Sequence, residues 1–333
     1  MNIPQVSVII PTFNSGSYLS ATLESVFTQT FRDFEVVVVD DGSTDETDAI
    51  LKSFKSRIIH LTHERNRGPS AAVNTGVHVA RGEFLAFLDA DDLWHADKIA
   101  RQIKLFETHP EVGFCFTNYT KFGIVQSNES GFDERNHAMR SYPRRQIDNE
   151  TYVITSESLL KDLLVVQAFP MPSSIMVRRS AFMQACPLDE ELAYQDLQLI
   201  LRMAKFCTFA YIDACLVDRR IHSESLSNTI GVTKFLHMHI ATLDRLSSWF
   251  ELSREEKRAA HVLEAGYQRA AGYLAFNNYE LSEARRHFWL SMRRNFTTQS
   301  LVYFLPCLFP RAAVKRIRFL KQWVAKSQDR KLR

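Results

Sequence analysis

Several common signatures are missing from this chain of 333 residues. It holds 5 cysteines, Cys115, Cys186, Cys207, Cys215 and Cys307, an odd number with no C-x-x-C pair and with apolar neighbours throughout. That excludes a disulfide scaffold and a thiolate zinc site, and it suits reduced thiols in a cytosolic protein. None of the 11 glycines builds a G-x-G-x-x-G or a G-x-x-x-x-G-K-[ST] motif, so a dinucleotide fold and a P-loop lack their glycines. No H-E-x-x-H offers a zinc site. Long apolar runs are missing too. The longest, around residues 301–309, is broken by Pro306 and is half of the ~20 residues a bilayer-spanning helix needs. The first residues, Met1 to Val6, carry neither a basic n-region nor a signal-peptide core, so the expectation is a cytoplasmic chain.

Net charge is almost absent as well, at +3, but the sum hides a division. Residues 1–283 hold 28 basic and 37 acidic side chains, whereas residues 284–333 hold 13 basic side chains against Asp329 alone. An acidic body therefore precedes a basic tail. With 45% apolar and 24% charged residues the chain has the composition of a globular protein, not of a disordered or collagenous one.

The pattern of apolar residues predicts strands at 6–10, 35–39, 58–61 and 84–88, with helices at about 18–29, 44–54 and 70–79 between them. The run Val36 to Val39 has no polar alternation, which marks a strand covered on both faces. Strand and helix in alternation imply an α/β doubly wound, mostly parallel sheet. A helix near 97–108, strands at 112–118 and 174–177 and a helix at 196–205 follow, and the polar stretch 123–150 reads as a long loop. Beyond about 230 the period is helical. Ser253 and Glu256 fit a capping box, and segments 254–276 and 281–294 fit an antiparallel pair. The expected division is an α/β domain at 1–230 and a helical region at 231–333.

Ligands of open α/β sheets bind beyond the carboxyl ends of the strands. Here those ends read Pro11-Thr12-Phe13-Asn14, Asp40-Asp41-Gly42-Ser43-Thr44-Asp45 and Asp89-Ala90-Asp91-Asp92. So many carboxylates at one edge repel one another unless a cation offsets them, and hard oxygen ligands favour Mg²⁺ or Mn²⁺. Asp45 reads as an ordinary turn or cap residue.

These residues resemble family 2 of the glycosyltransferases, with the GT-A fold. Val6 to Asn14 and Val39 to Asp45 carry the likeness, continued in order by Asn66-Arg67-Gly68-Pro69, Ala71, Asn74, Gly76, Gly82 and Leu88 to Asp92. It covers about residues 4–225. The resemblance implies a nucleotide-diphospho-sugar donor, with Pro11, Thr12 and Asn14 lining the nucleoside pocket and Asp41 bonded to the base. Asp89 and Asp91 form the family's Asp-x-Asp element; Asp89 faces the ribose or a metal-bound water, and Asp91 ligates the metal. Leu188-Asp189-Glu190-Glu191-Leu192 leads to Gln195-Asp196-Leu197-Gln198, which places Asp196 at the catalytic base of an inverting transfer. Gln195 stands where Glu is usual, and Gln198 where a second acid is common. In Arg220-Ile221-His222, the histidine binds phosphate or completes the metal sphere. Phe169 to Ser174, including Ser173 and Ser174, matches the segment lining the acceptor side, or serves as a Pro-stiffened loop. A sugar-1-phosphate nucleotidyltransferase lacks its Gly-rich loop here. A nucleotide-sugar-binding scaffold without turnover is the alternative that Gln195 leaves open.

In the tail, Ala313, Ile317, Leu320 and Val324 share one helical face and Arg311, Lys315, Arg318 and Lys326 the other. That composition suits a helix lying in an anionic membrane interface through residues 301–333, and equally a basic face packed on the protein. The acidic body argues against nucleic acid. With the resemblance, the tail points to a glycan or lipid-linked acceptor in bacterial surface-polysaccharide synthesis, handled at the inner face of the membrane.

Overall fold

The computed structural model describes residues 3–123, 142–167, 169–192, 195–223 and 231–315, with Gln195 described by its backbone alone. Two compact units comprise Met1–Thr229 and Ile230–Arg333.

The first unit opens with β1 (Val6–Thr12), α1 (Leu19–Phe27), β2 (Phe34–Asp40), α2 (Thr47–Ser53), β3 (Ile59–Thr62), α3 (Pro69–Val79) and β4 (Phe84–Phe87). Next come β5 (Leu93–Trp94), α4 (Lys98–Thr108), β6 (Val112–Gly123), β7 (Arg144–Gln146), β8 (Thr151–Ile154) and α5 (Leu159–Val166). A 3-10 turn (Pro172–Ser174), β9 (Met176–Arg178), α6 (Arg179–Ala185), α7 (Gln195–Met203) and β10 (Thr208–Ile221) complete it.

Among the described residues the sheet has ten strands, in the order β3-β2-β1-β4-β9-β6-β10-β8-β7, with β5 paired to β10. β1 pairs in parallel with β2 and β4, and β2 in parallel with β3; Ile9 faces both Val37 and Phe87 in register. Val36, Val37, Val38 and Val39 are all buried, because helices cover both faces. Parallel pairing brings the carboxyl ends of these four strands to one edge, and the acidic loops with them. β9 then enters antiparallel between β4 and β6. It carries the 3-10 turn before it to the same edge, beside the residues that follow β4.

Several elements, β5, β8, α6 and β10 among them, go beyond the expectation, and three further features depart from it. β7 lies inside the segment read as a loop, where its sequence Arg-Arg-Gln has no apolar alternation. α5 was not anticipated, since Leu159, Leu160, Leu163 and Leu164 form an apolar cluster too short to show a period. β6 runs on to Gly123, five residues beyond the expected end, because β10 pairs with it along that whole length. Most of the expected loop, residues 124–141, lies outside the described residues.

The second unit comprises α8 (Gly231–Trp249), α9 (Arg254–Asn277), α10 (Leu281–Arg294), α11 (Thr298–Phe304) and a 3-10 turn (Leu305–Leu308). The capping box forms: the Ser253 hydroxyl accepts from Glu256 N, and Glu256 Oε2 accepts from Ser253 N at 2.8 Å. α9 and α10 are antiparallel, since partner numbers run in opposite senses: Glu264 with Arg294, Ala265 with Ser291, Gln268 with His287. Phe276, Ala284, Phe288, Cys307 and Val314 bury one another, with Tyr303 and Phe304 against them. Tyr303 and Phe304 are half-buried against this core, while Val302, Leu305, Leu308 and Phe309 stay exposed. No helix among the described residues is long and apolar enough to cross a membrane. Residues 316–333, most of the expected amphipathic helix, lie outside the described residues.

Candidate active site

The turn after β2 folds back on the turns after β1 and β3. Asn14 adopts the left-handed conformation (φ 48°), which a short amide side chain tolerates. Its N–H donates to Ser43 Oγ at 2.8 Å, and its Oδ1 accepts from Thr44 N at 2.8 Å. Gly42 has φ 79°, and a Cβ there would lie 2.8 Å from the Arg65 carbonyl carbon, so no other residue fits. Asp40 accepts from Ser43 N at 2.9 Å.

Asp41, expected at the base, is already engaged. Its carboxylate accepts from Arg67 N at 2.9 and 3.1 Å, from Gly68 N at 2.7 Å and meets His63 Nδ1 at 2.6 Å. Three donors, with the Arg67 N–H shared between the two oxygens, thus meet a carboxylate that has roughly four acceptor sites. Asp41 therefore holds the loop that opens α3. Thr12 is the opposite case: its hydroxyl is buried with no partner among the described residues, and such an atom suits a bound polar ligand. Pro11 lines a pocket floor beside it.

The acidic run after β4 is built around Ser173. Its hydroxyl donates to Asp92 Oδ2 at 2.6 Å and accepts from Asp89 N at 3.1 Å, while its carbonyl accepts the Trp94 indole N–H at 2.7 Å. Ser174 donates to Met171 O at 2.7 Å. Both serines are fully buried; Ser173 supports the acidic run, and Ser174 closes the 3-10 turn. From β10, Arg220 N donates to Asp92 Oδ1 at 2.9 Å and Arg220 Nε to the Asp91 carbonyl at 3.0 Å. His222 Nε2 lies 2.9 Å from Asp91 Oδ2, and its ring packs on Tyr18 with centroids 4.4 Å apart. The segment at 224–227 that continues this motif lies outside the described residues.

Asp196 sits in the first turn of α7. The chain leading to it is tied to α3: Asn74 Nδ2 donates to Leu188 O at 2.9 Å, Ser70 Oγ to Leu192 O at 2.9 Å, and Arg67 pairs with Glu190 at 2.8 Å. Gln198, where an acid is common, is buried. Its amide accepts from Asp189 N at 2.8 Å and donates to Asp189 O at 3.0 Å, a pairing that a carboxylate cannot make with both groups. The Gln195 side chain lies outside the described residues. Asp196 and Asp89 line one pocket with Pro11, Pro172, Leu188 and Leu199.

Electrostatics match this crowding. Burial, then the charges of Asp92, Asp196 and Asp91, hold the Asp89 carboxyl well above the usual range. Burial pushes Asp196 to about 6, and burial with the Asp91 charge pushes Asp92 to about 7. The counter-charge is Arg219 on β10, which pulls all three down. Sequence reasoning missed this residue, although its signal was present: it directly precedes the Arg220-x-His222 segment. With Arg220, whose Nε reaches the Asp91 carbonyl, two guanidinium groups stand among the four carboxylates. Asp91 and His222 supply the oxygen and nitrogen donors that suit a divalent cation such as Mn²⁺.

A model described as glycosyl transferase family 2 matches residues 7–183. An uncharacterized glycosyltransferase of Rickettsia felis is 40% identical over 133 residues, 38% of this chain and 22% of that protein, so the match spans about a fifth of its length. The putative teichuronic acid biosynthesis glycosyltransferase TuaG of Bacillus subtilis is 30% identical over 229 residues, 68% of this chain and 82% of that protein. The Escherichia coli UDP-Glc:alpha-D-GlcNAc-diphosphoundecaprenol beta-1,3-glucosyltransferase WfaP is 40% identical over 115 residues, 34% of this chain and 45% of that protein. Among solved structures, S. aureus TarS 1-349 in complex with UDP-GlcNAc has a TM-score of 0.63 at 17% identity, over 91% of this chain and 90% of that one. Mannosyltransferase PcManGT from Pyrobaculum calidifontis, in complex with GDP-Man and Mn²⁺, has a TM-score of 0.55 at 16% identity, over 91% and 87%. Both likenesses concern the fold.

Proposed function

Because the chain belongs to glycosyl transferase family 2 and has the GT-A fold, we propose that it is an inverting glycosyltransferase of bacterial surface-polysaccharide synthesis. Its donor is a nucleotide-diphospho-sugar and its acceptor a hydroxyl of a glycan or lipid-linked glycan. The observation that carries this reading is the convergence of Asp91, Asp92 and Asp196 close enough for their charges to act on Asp89, with His222 paired to Asp91. TarS holds UDP-GlcNAc and PcManGT holds GDP-Man, which supports the donor class. The name of WfaP, with its diphosphoundecaprenol-linked acceptor, supports the lipid-linked one.

Asp196 takes the proton of the acceptor hydroxyl as that oxygen attacks the anomeric carbon, and the bond from that carbon to the diphosphate oxygen breaks on the opposite face. A single displacement inverts the anomeric centre. The carboxylate needs its ionised form, and its position near 6 leaves it mostly ionised at neutral pH while making it a stronger base than a free aspartate. Thr12 and Asn14 border the nucleoside, and Asp89 faces the ribose. Asp91 and His222 would hold Mg²⁺ or Mn²⁺, which supplies positive charge against the departing diphosphate. Ser173 and Arg220 fix the acidic run so that Asp91 projects correctly.

Asp91→Ala and Asp196→Asn should each abolish transfer from nucleotide sugars, with unchanged circular dichroism and thermal unfolding. A thermal-shift screen of nucleoside diphosphates and their sugars with Mn²⁺ identifies the donor first. Full activity of the Asp196→Asn protein would remove that residue from the role of base.

A further inference from the structure

Outside the sheet edge, one more group of side chains has the make-up of a cation site. His237 on α8 and Glu283 and His287 on α10 converge, with their donor atoms all within 4.8 Å of one another. His237 Nε2 and His287 Nε2 are 3.3 Å apart, and His287 Nε2 and Glu283 Oε1 are 3.1 Å apart. A tetrahedral zinc ion with Zn–N bonds of about 2.0–2.1 Å separates its ligand atoms by roughly 3.3–3.4 Å, so these spacings are close to two edges of that tetrahedron. Glu283 and His287 stand four residues apart, on one face of the helix. The second contact of His287 agrees. Its Nδ1 lies 2.7 Å from Oε1 of the buried Gln268 on α9. An amide oxygen only accepts, so Nδ1 carries the proton and the Nε2 lone pair is directed at the cluster.

We propose that His237, Glu283 and His287 bind a zinc ion that cross-links α8 to α10, with water in the fourth position. The two nitrogens and one oxygen suit zinc better than Mg²⁺ or Ca²⁺, which prefer all-oxygen shells. Arg286 Nη1 shares Glu283 Oε1 at 3.2 Å, but such an exposed pair is weak and yields to a divalent cation. Its ligands are other than Asp91 and His222, and its role is structural.

The test uses the full chain stripped of metal. Titration with Co²⁺ should give the intense visible bands of a four-coordinate site, Zn²⁺ should displace them, and Zn²⁺ should raise the unfolding temperature. His237 is exposed, so His237→Ala should fold normally while losing the bands and the thermal shift. Gln268→Ala should weaken zinc binding about 10–100-fold. Asp91→Asn should keep both signals. Bands that survive in His237→Ala, or vanish in Asp91→Asn, place the cation at the sheet edge and overturn the proposal. So does a wild-type protein that gives only pale octahedral Co²⁺ and no thermal shift, which would leave the imidazoles joined by an N–H···N hydrogen bond.

Discussion

One hydroxyl, that of Ser173, joins the two ends of the Asp89–Asp92 run, giving its proton to one carboxylate and accepting the backbone N–H of the other residue. Ser173→Ala leaves both partners buried and unmatched, at a cost of about 1–3 kcal/mol. Urea unfolding should show that loss, and transfer should fall because Asp91 is no longer held; an unchanged midpoint would refute the supporting role. A second residue, Lys98, is fully buried, with Nζ 2.8 Å from Gln102 Oε1 and 3.9 Å over the Trp94 ring. Burial lowers its pKa from 10.5 to about 7. Between these values the unfolded chain binds a proton that the folded chain does not, so this group makes stability rise with pH across the window and level off below it. Lys98→Met should raise the urea midpoint near neutrality and flatten its rise relative to wild type. Identical slopes would show that Lys98 stays charged. The acids of the site were legible because their order and spacing follow a family pattern. The contact of Ser173 was not legible: its partner Asp92 lies 81 positions away, and no local pattern records it.

Among the elements, legibility followed length and period. α9, with 24 residues and a capping box, was readable nearly to its ends. Ser253→Ala removes the acceptor for Glu256 N and should lower stability by about 1 kcal/mol, measurable by thermal unfolding. A loss no greater than that of a solvent-facing Ser→Ala change would deny the cap its role. β7 escaped notice because its three polar residues are defined by pairing with β8, not by their own pattern. Gln198 taught a similar lesson: at a position where an acid is common, its amide serves a backbone that only the fold brings near.

For the whole molecule, charge is divided along the chain, and the exposed Val302, Leu305, Leu308 and Phe309 lie within the basic part. Each Lys or Arg near an anionic leaflet contributes about 1 kcal/mol, and the attraction falls within a Debye length. The full chain should therefore sediment with vesicles of anionic lipid at low salt, less so at high salt, and hardly at all with neutral vesicles. Removing residues 316–333, which carry seven of the thirteen basic side chains of the tail, should weaken binding at least tenfold. Equal binding to neutral and anionic vesicles would leave the lipid-linked acceptor without support from this segment. The packing of Tyr303, Phe304 and Val314 was hidden from the sequence, since an apolar residue near a basic run looks the same whether lipid or protein covers it.

Among the described residues the sheet ends in β3 and β7, of four and three residues. An open row of backbone donors and acceptors invites a second chain to add a strand, and short or charged outer strands discourage it. Here both outer strands are brief and one carries the charged Arg144 and Arg145, so two copies that meet edge to edge find few backbone groups to pair. Short outer strands of this kind thus limit edge-to-edge joining of two such sheets.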